Sequence, residues 1–142
     1  MKIVFDMDNT VSDEFGSELR EGIKELLSKL VSEKHTLVLW TNSSEERAEE
    51  ILTRLKIKKF FSKCIFREDY DPENAGKRKD IRSINADLII DDDEKEIFFN
   101  KENGKKGFRI SPFRKGKKPD KTELEKLYGF IRENSFFFGR LF

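Results

Sequence analysis

Lys2-Ile-Val-Phe-Asp-Met-Asp-Asn-Thr10 places two acids at the end of a short apolar run. Residues 1–5 are typical of a buried strand, and open α/β sheets bind their ligands at the carboxyl ends of such strands. The carboxylates of Asp6 and Asp8 would repel each other unless a hard cation such as Mg2+ took oxygens from both. The stretch therefore favours a divalent-cation site. The alternative is a short acidic loop, because Asp also favours turns and helix starts.

A second apolar run, Thr36–Trp40, precedes a cluster of hydrogen-bond donors. Thr41, Asn42 and Ser43 follow it directly and offer hydroxyl, amide and backbone N–H groups at the start of a helix. Such a group of donors suits a phosphate. A simpler interpretation holds at the same time, because Ser43 or Ser44 can serve as an ordinary helix N-cap.

Three consecutive acids, Asp91, Asp92 and Asp93, follow a third apolar run at residues 86–90. We interpret Asp93 as the cap of the next helix, since a carboxylate is favourable at the positive end of a helix. Three acids directly after a buried strand exceed what solvation of a loop requires. This feature strengthens the interpretation of a ligand site.

In their order and position these motifs resemble those of the haloacid dehalogenase superfamily of phosphohydrolases. The four matching motifs are, in order, Asp6-Met7-Asp8-Asn9-Thr10, Thr41, Lys79 and Asp91-Asp92. The resemblance covers about residues 1–112. Within the superfamily, the segments 60–70 and 79–81 resemble the branch of NLI-interacting-factor and polymerase-tail phosphatases. That branch usually has leucine where this chain has Met7 and Val11, which leaves the substrate class open.

The resemblance implies that the reaction takes place on an aspartate. Asp6 would attack phosphorus to give an aspartyl-phosphate, and Asp8 would protonate the leaving oxygen and then take a proton from water. His35 is the one histidine of the chain, and it lies just before the second strand, at the end opposite Thr41. We therefore expect His35 to be a connecting-loop residue and not a catalytic base.

The same resemblance implies a Mg2+ cofactor and a set of phosphate-binding residues. The metal would be held by Asp6, by the backbone carbonyl of Asp8 and by Asp92. Asp91 is the alternative ligand, and otherwise it would orient Lys79 or a metal-bound water. The substrate-binding residues implied are Thr10, Thr41, Asn42 and Lys79. Lys77 lies two residues from Lys79 and is the alternative phosphate lysine.

Strand and helix patterns alternate along the chain and predict an α/β, Rossmann-like three-layer fold around a mostly parallel, five-stranded sheet. The predicted strands are residues 1–6, 36–40, 63–66, 87–90 and 107–110, and the predicted helices are 19–31, 44–55, 79–84, 94–100 and 120–133, the last opened by Pro119 and Asp120. No connection is long enough for a large cap domain, and the segment 60–76 has room only for a small hairpin. The site is therefore expected to be open.

The composition fits one compact enzyme domain. We expect it to span residues 1–142, with a catalytic core to about residue 112 and a C-terminal helix and tail over 119–142. The 29 basic and 28 acidic residues nearly cancel, which disfavours nucleic acid and membranes as partners. The expected substrate is a phosphorylated small molecule or a phosphoprotein. The one cysteine, Cys64, and the lack of a long apolar segment indicate a cytoplasmic location.

The end of the chain, Phe136-Phe-Phe-Gly-Arg-Leu-Phe142, is strongly apolar. Exposure of these side chains to water would be costly. The tail therefore predicts one of two arrangements, docking back on the core or pairing with a second subunit in a homodimer.

Two other functions stay open at this point. A receiver domain also phosphorylates an aspartate in a parallel sheet, but its acid pair and its phosphorylated aspartate lie on different strands, whereas Asp6 and Asp8 share one. A non-catalytic phosphate-binding module would keep the same fold without turnover, and no sequence feature excludes it.

Overall fold

A five-stranded sheet with all of its strands parallel lies at the centre of the molecule. The computed structural model describes residues 1–118 and 120–139, with Lys121 and residues 136–139 described by their backbone only. The strands are β1 (Lys2–Phe5), β2 (Thr36–Trp40), β3 (Lys63–Ile65), β4 (Leu88–Asp91) and β5 (Lys106–Arg109). They lie in the order β3-β2-β1-β4-β5. This arrangement confirms the predicted α/β fold.

Helices cover both faces of this sheet, as a three-layer fold requires. They are α1 (Ile23–Ser32), α2 (Glu45–Arg54), α3 (Arg67–Tyr70), α4 (Glu94–Glu102) and α5 (Lys121–Gly139). Because side chains alternate across a strand, Ile3 and Phe5 of β1 face one core and Val4 faces the other. The first core contains buried residues of α1, α2 and α5, and the second contains Ile97 of α4. Burial of both faces explains why the strands read as nearly continuous apolar runs.

The register of the sheet brings the ends of three strands to one edge. Phe5 of β1 pairs with Leu39 of β2 and with Ile90 of β4. The backbone N–H of Asp6 then donates to the carbonyl of Ile90, so the ladder continues one residue beyond β1. The polar residues that follow β1 and β2 and that end β4 therefore meet at the carboxyl edge of the sheet.

The first helix begins at Ile23, so the prediction that it begins at Leu19 is wrong. The spacing of Leu19 fits an apolar helical face, but its backbone forms an antiparallel bridge with Ser12 instead. Gly22 then takes a φ of 84° directly before the helix. That conformation is readily accessible to glycine and costly for residues with a Cβ atom. The turn that follows the first motif thus holds this segment outside the helix.

Short helical turns, and not a hairpin, occupy the connections around β3. A 3-10 turn (Lys58–Phe60) precedes this strand, and α3 follows it. A second 3-10 turn (Ile81–Ile84) is capped by Asp80, so the helix predicted to begin at Lys79 begins later. Residues 1–118 and 120–139 contain no separate cap domain, in keeping with an open site.

Helix α5 continues to Gly139, beyond the predicted end at residue 133. Pro119, which was expected to open this helix, lies outside the described residues, as do the side chains of 136–138 and all of 140–142. Docking of the aromatic tail and its pairing with a second subunit therefore stay predictions. None of the described helices has the length and apolar character needed to cross a membrane.

Candidate active site

An open cavity of about 870 Å3 lies at the carboxyl edge of the sheet. All predicted site residues except Thr10 line it, namely Asp6, Asp8, Thr41, Asn42, Lys79, Asp91 and Asp92. The buried charged residues of the lining are acidic apart from Lys79. The more exposed lining mixes four cations, Arg47, Arg67, Lys95 and Arg109, with five acids, Asp8, Glu14, Asp92, Asp93 and Glu94. The buried acids suit a metal cation, and the cations at the mixed-charge mouth are available to an anionic ligand that binds with it.

Lys79 is buried between two carboxylates. Its Nζ lies 2.8 Å from Oδ1 of Asp6 and 2.8 Å from Oδ2 of Asp91. Burial works against the charged ammonium, but the negative charges of Asp6 and Asp91 outweigh it and raise the pKa of Lys79 above its usual range. The side chain is therefore a fixed positive charge at the centre of the site.

Three carboxylates form a cluster around this charge. One oxygen from each of Asp6, Asp91 and Asp92 lies within 4.8 Å of the others. Burial raises the pKa of Asp6 to about 6, against the lowering effect of Lys79. Burial and the charge of Asp6 raise the pKa of Asp91 to about 6, and burial also raises that of Asp92. Three hard oxygen donors that repel one another fit a divalent cation such as Mg2+.

Thr10 lies beneath the cavity and supports Asp6. Its side chain is fully buried, and Oγ1 donates to Oδ2 of Asp6 at 3.0 Å. The same hydroxyl lies 3.5 Å from Oδ1 of Asp92. Because Thr10 has no exposed surface, it offers nothing to a substrate in this structure. Contact of Thr10 with a substrate stays a prediction, and the contact that the structure shows is the one with Asp6.

Asp8 lines the cavity, and its carboxylate is paired with Arg47. Its two oxygens each lie 2.9 Å from a guanidinium nitrogen of Arg47 in α2. The side chain of Asp8 is thus not one of the three clustered carboxylates, and contact of its backbone carbonyl with a metal stays a prediction. Both carboxylate oxygens are already hydrogen-bonded.

The loop between β2 and α2 supplies the polar wall of the cavity. Thr41 is buried, and its Oγ1 accepts a hydrogen bond of 3.0 Å from the backbone N–H of Ser43. Asn42 is exposed and lines the cavity. The side chain of Ser44 accepts from the backbone N–H of Arg47, which makes Ser44 the N-cap of α2. The predicted donors therefore lie beside the acidic cluster.

Residues 1–138 match the family of NLI interacting factor-like phosphatases. The chain belongs to this family. It is accordingly a phosphatase of the haloacid dehalogenase type. The family assignment agrees with the finer resemblance noted in segments 60–70 and 79–81.

Solved structures with the same fold are distant in sequence. A Thermotoga maritima protein described as a β-phosphoglucomutase is 15% identical, with a TM-score of 0.64, and the alignment covers 87% of this chain and 90% of that chain. The core domain of a Streptococcus pneumoniae TIGR4 protein described as a phosphoglycolate phosphatase is 13% identical, with a TM-score of 0.55, and the alignment covers 90% of this chain and 94% of that one. These likenesses show the shared fold. No curated protein matches the chain by sequence.

Two buried residues of α4, Glu96 and Asn100, hold the backbone of Lys79 in the phosphatase site. The N–H of Lys79 donates to Oε2 of Glu96 at 2.8 Å, and Nδ2 of Asn100 donates to the carbonyl of Lys79 at 2.8 Å. Asn100 also accepts from the N–H of Ile81 at 3.1 Å. Neither residue is predicted from the sequence. The sequence feature that could have indicated them is a pair of polar side chains four positions apart, on a helix that begins directly after the acidic motif.

Arg20 stabilises the first motif of the phosphatase through hydrogen bonds to backbone carbonyls. Its Nε donates to the carbonyl of Thr10 at 2.7 Å, and Nη2 donates to the carbonyls of Asn9 and Ser111. The guanidinium also lies 5.5 Å from the centre of the Phe113 ring. Arg20 reads in the sequence as part of an amphipathic helix, and only the tertiary fold brings it to the motif.

Lys77 and His35, which were considered above, and the one cysteine, Cys64, are absent from the described residues that line the cavity. Lys79, in contrast to Lys77, lines it. His35 lies in the loop before β2, and its Nδ1 is 3.0 Å from the nitrogen of Met1. Cys64 is half-buried, and burial raises the pKa of its thiol to about 11, which disfavours a thiolate nucleophile.

Proposed function

We propose that this phosphatase hydrolyses phosphomonoesters with Mg2+, through an aspartyl-phosphate formed on Asp6. The observation that carries the proposal is the fixation of the Asp6 carboxylate. Its Oδ1 accepts from Lys79 and its Oδ2 accepts from Thr10, so both oxygens are oriented at the edge of the cavity. A carboxylate held in this way is suited to attack a bound phosphorus atom.

The acidic cluster is the proposed metal site. Asp6, Asp92 and the backbone carbonyl of Asp8 would hold Mg2+, and a bound ion would neutralise charge on the phosphoryl oxygens. Asp91 is the less favoured ligand, because it is occupied by Lys79 and by the N–H of Asp93. Lys79 would remain beside Asp6 and balance charge as the phosphoryl group transfers.

Asp8 is the proposed acid and base. In the first half of the reaction, an oxygen of Asp6 bonds to phosphorus, the bond to the leaving oxygen breaks, and that oxygen takes a proton from Asp8. In the second half, water bonds to phosphorus, the bond to Asp6 breaks, and Asp8 takes the proton of the water. Thr41 and Asn42 would bind the phosphate from the loop before α2.

The substrate class stays broad within this proposal. An open cavity without a cap domain in the described chain can accept a phosphate on a protein as well as one on a small molecule. We place the enzyme in the cytoplasm, as one domain over residues 1–142, in accordance with its composition.

Hydrolysis of p-nitrophenyl phosphate tests the proposal. Wild-type enzyme should turn over with Mg2+ and stop after treatment with a chelator, and Asp6→Asn should lose several powers of ten in rate. A folded Asp6→Asn variant that keeps more than about a tenth of wild-type turnover would exclude Asp6 as the nucleophile. Phosphate binding without any turnover would instead indicate a non-catalytic module.

A further inference from the structure

Arg47 holds the carboxylate of Asp8 in one orientation. Nη1 and Nη2 of the guanidinium each donate to a different oxygen of Asp8 at 2.9 Å. Arg47 is itself fixed, because Nη1 also donates to Oγ of Ser43 at 3.0 Å and Nη2 to the carbonyl of Glu14 at 3.3 Å. An ion pair with two parallel hydrogen bonds fixes the orientation of the carboxylate as well as its distance from the guanidinium.

Stability does not account for an arginine at this position. The side chains of Arg47 and Asp8 are 40% and 30% exposed, and ion pairs this exposed contribute little to folding. Arg47 also lies in the first turn of α2, where the helix dipole disfavours a cation. Arg47 lines the same cavity as Asp6 and Lys79.

The pair has different consequences for the two halves of the proposed reaction. In the first half, Asp8 has to turn an oxygen that carries a proton toward the leaving oxygen, while Arg47 fills both oxygens with N–H donors. That half requires the pair to open at one oxygen. In the second half, Asp8 accepts a proton from water, and a carboxylate with two N–H donors keeps further lone pairs for this task. The second half can therefore proceed while both hydrogen bonds between Arg47 and Asp8 remain.

We propose that Arg47 is a positioning residue that orients Asp8 for the hydrolysis of the aspartyl-phosphate, the second half of the reaction. The inference rests on the proposed function, since it needs a phosphoenzyme on Asp6. Arg47 holds the carboxylate still while water attacks phosphorus and the bond to Asp6 breaks. It releases one oxygen of Asp8 during the first half.

Loss of the guanidinium should therefore slow decay of the phosphoenzyme more than its formation. Arg47→Gln, mixed rapidly with p-nitrophenyl phosphate and Mg2+, should release a larger burst of nitrophenolate than wild type. The fraction of enzyme carrying a phosphoryl group, read by mass spectrometry after acid quench, should rise. Decay should slow by about ten- to a hundredfold, the usual cost of a misoriented catalytic group.

Two further variants separate positioning from a general effect. Arg47→Lys keeps the charge but cannot donate to both oxygens in the fixed fork of a guanidinium, so its decay rate should fall between those of Arg47→Gln and wild type. Arg54→Gln removes another arginine of α2, one that pairs with Glu50 and lies outside the cavity lining. This control should match wild type in burst and decay.

The outcomes separate this inference from the proposed function. A phosphoenzyme that forms in wild type and decays at the same rate in Arg47→Gln overturns the role of Arg47 and leaves the proposed function standing. If formation and decay of the phosphoenzyme slow equally in Arg47→Gln, the proposed role of Arg47 is also overturned. Turnover without a trapped phosphoenzyme in any variant, together with an active Asp6→Asn variant, rejects the proposed function and this inference together. If Arg47→Gln does not fold by circular dichroism, Arg47→Lys alone decides, with slower decay and unchanged formation expected.

Discussion

The ammonium nitrogen of Lys79 lies 2.8 Å from a carboxylate oxygen of Asp6, although 73 positions separate the two residues along the chain. The same ammonium lies 2.8 Å from Asp91, and all three side chains are buried. Lys79 reaches this position because Glu96 and Asn100 of α4 hold its backbone. Asp93 caps α4, so the helix that holds Lys79 begins directly after the acidic motif.

Replacement of Lys79 by methionine should abolish most activity and destabilise the protein. The variant leaves Asp6 and Asp91 buried without their shared cation. Removal of one partner of a buried ion pair costs about 3–5 kcal/mol, and loss of one preorganised charge-stabilising group lowers turnover by about a hundred- to a thousandfold. Turnover of p-nitrophenyl phosphate and thermal melting would measure the two effects.

Lys77→Met is the matched control for this experiment. Lys77 is exposed, and its backbone N–H, which the variant keeps, donates to Asp71. We expect wild-type turnover and a melting temperature close to wild type. Loss of activity in Lys77→Met with retention in Lys79→Met would assign the phosphate lysine to position 77.

The sequence predicts the sheet and the main site acids because both depend on local patterns. Each buried strand is a run of apolar residues, and the carboxyl ends of parallel strands meet at one edge whatever the rest of the chain does. Asp6, Thr41 and Asp91 follow or end such runs, so their convergence needs no knowledge of side-chain contacts. Helix caps are predicted for the same local reason, at Ser43 or Ser44 and at Asp93. The caps observed are Ser44 and Asp93, and both side chains accept from the first turn of the helix.

The residues that escape prediction have distant partners. Arg47 reads as one member of a solvated Glu-Glu-Arg-Ala-Glu-Glu face, yet its partner Asp8 lies 39 positions away. A cation in the first turn of a helix is unfavourable, and this was the one local signal that it has an anionic partner. Leu19 shows the opposite case, because its apolar spacing favours a helix while a bridge to Ser12 keeps it outside.

The metal-free enzyme should be destabilised by its own active site above pH 6. Asp6 and Asp91 have pKa values raised from 3.8 to about 6, chiefly by burial. Each therefore binds more protons when folded than when unfolded, so its contribution favours the fold at low pH and is lost as the pH rises through about 6. At pH 7.5, with a chelator present, Asp6→Asn should melt a few degrees above wild type.

The difference in melting temperature between Asp6→Asn and wild type should become smaller at pH 5. It should change sign when Mg2+ is added. Ionised Asp6 is a proposed metal ligand, so Mg2+ stabilises the wild type more than the variant. Asp80→Asn is a suitable control, because hydrogen bonds from Arg82 lower the pKa of Asp80. Its neutral replacement should therefore not raise the melting temperature. A metal-free Asp6→Asn variant that melts below wild type at pH 7.5 would contradict the burial of an unfavourable charge.

Asp92 should be a more important Mg2+ ligand than Asp91. Both oxygens of Asp91 are occupied, one by Lys79 and the other by the N–H of Asp93, each at 3.0 Å or less. The contact of Asp92 with Thr10 is long, at 3.5 Å, so its oxygens are more available to a cation. Asp91→Asn should weaken Mg2+ binding by about tenfold, as expected of a supporting residue, and Asp92→Asn should weaken it further. Calorimetric titration of each variant with Mg2+ measures this order, and the reverse order would make Asp91 the direct ligand.

Replacement of Asp8 by asparagine should slow the enzyme in a way that depends on the leaving group. The variant keeps its backbone carbonyl, so Mg2+ affinity should hardly change, while the proton for the leaving oxygen is lost. An alkyl phosphate needs that proton, and its turnover should fall by about a hundred- to ten-thousandfold. Nitrophenolate leaves with little protonation, so formation of the phosphoenzyme from p-nitrophenyl phosphate should fall much less. Comparison of the two substrates in single-turnover experiments, with Mg2+ affinity measured alongside, checks the assignment. Equal losses on both substrates would show that Asp8 does not supply the proton.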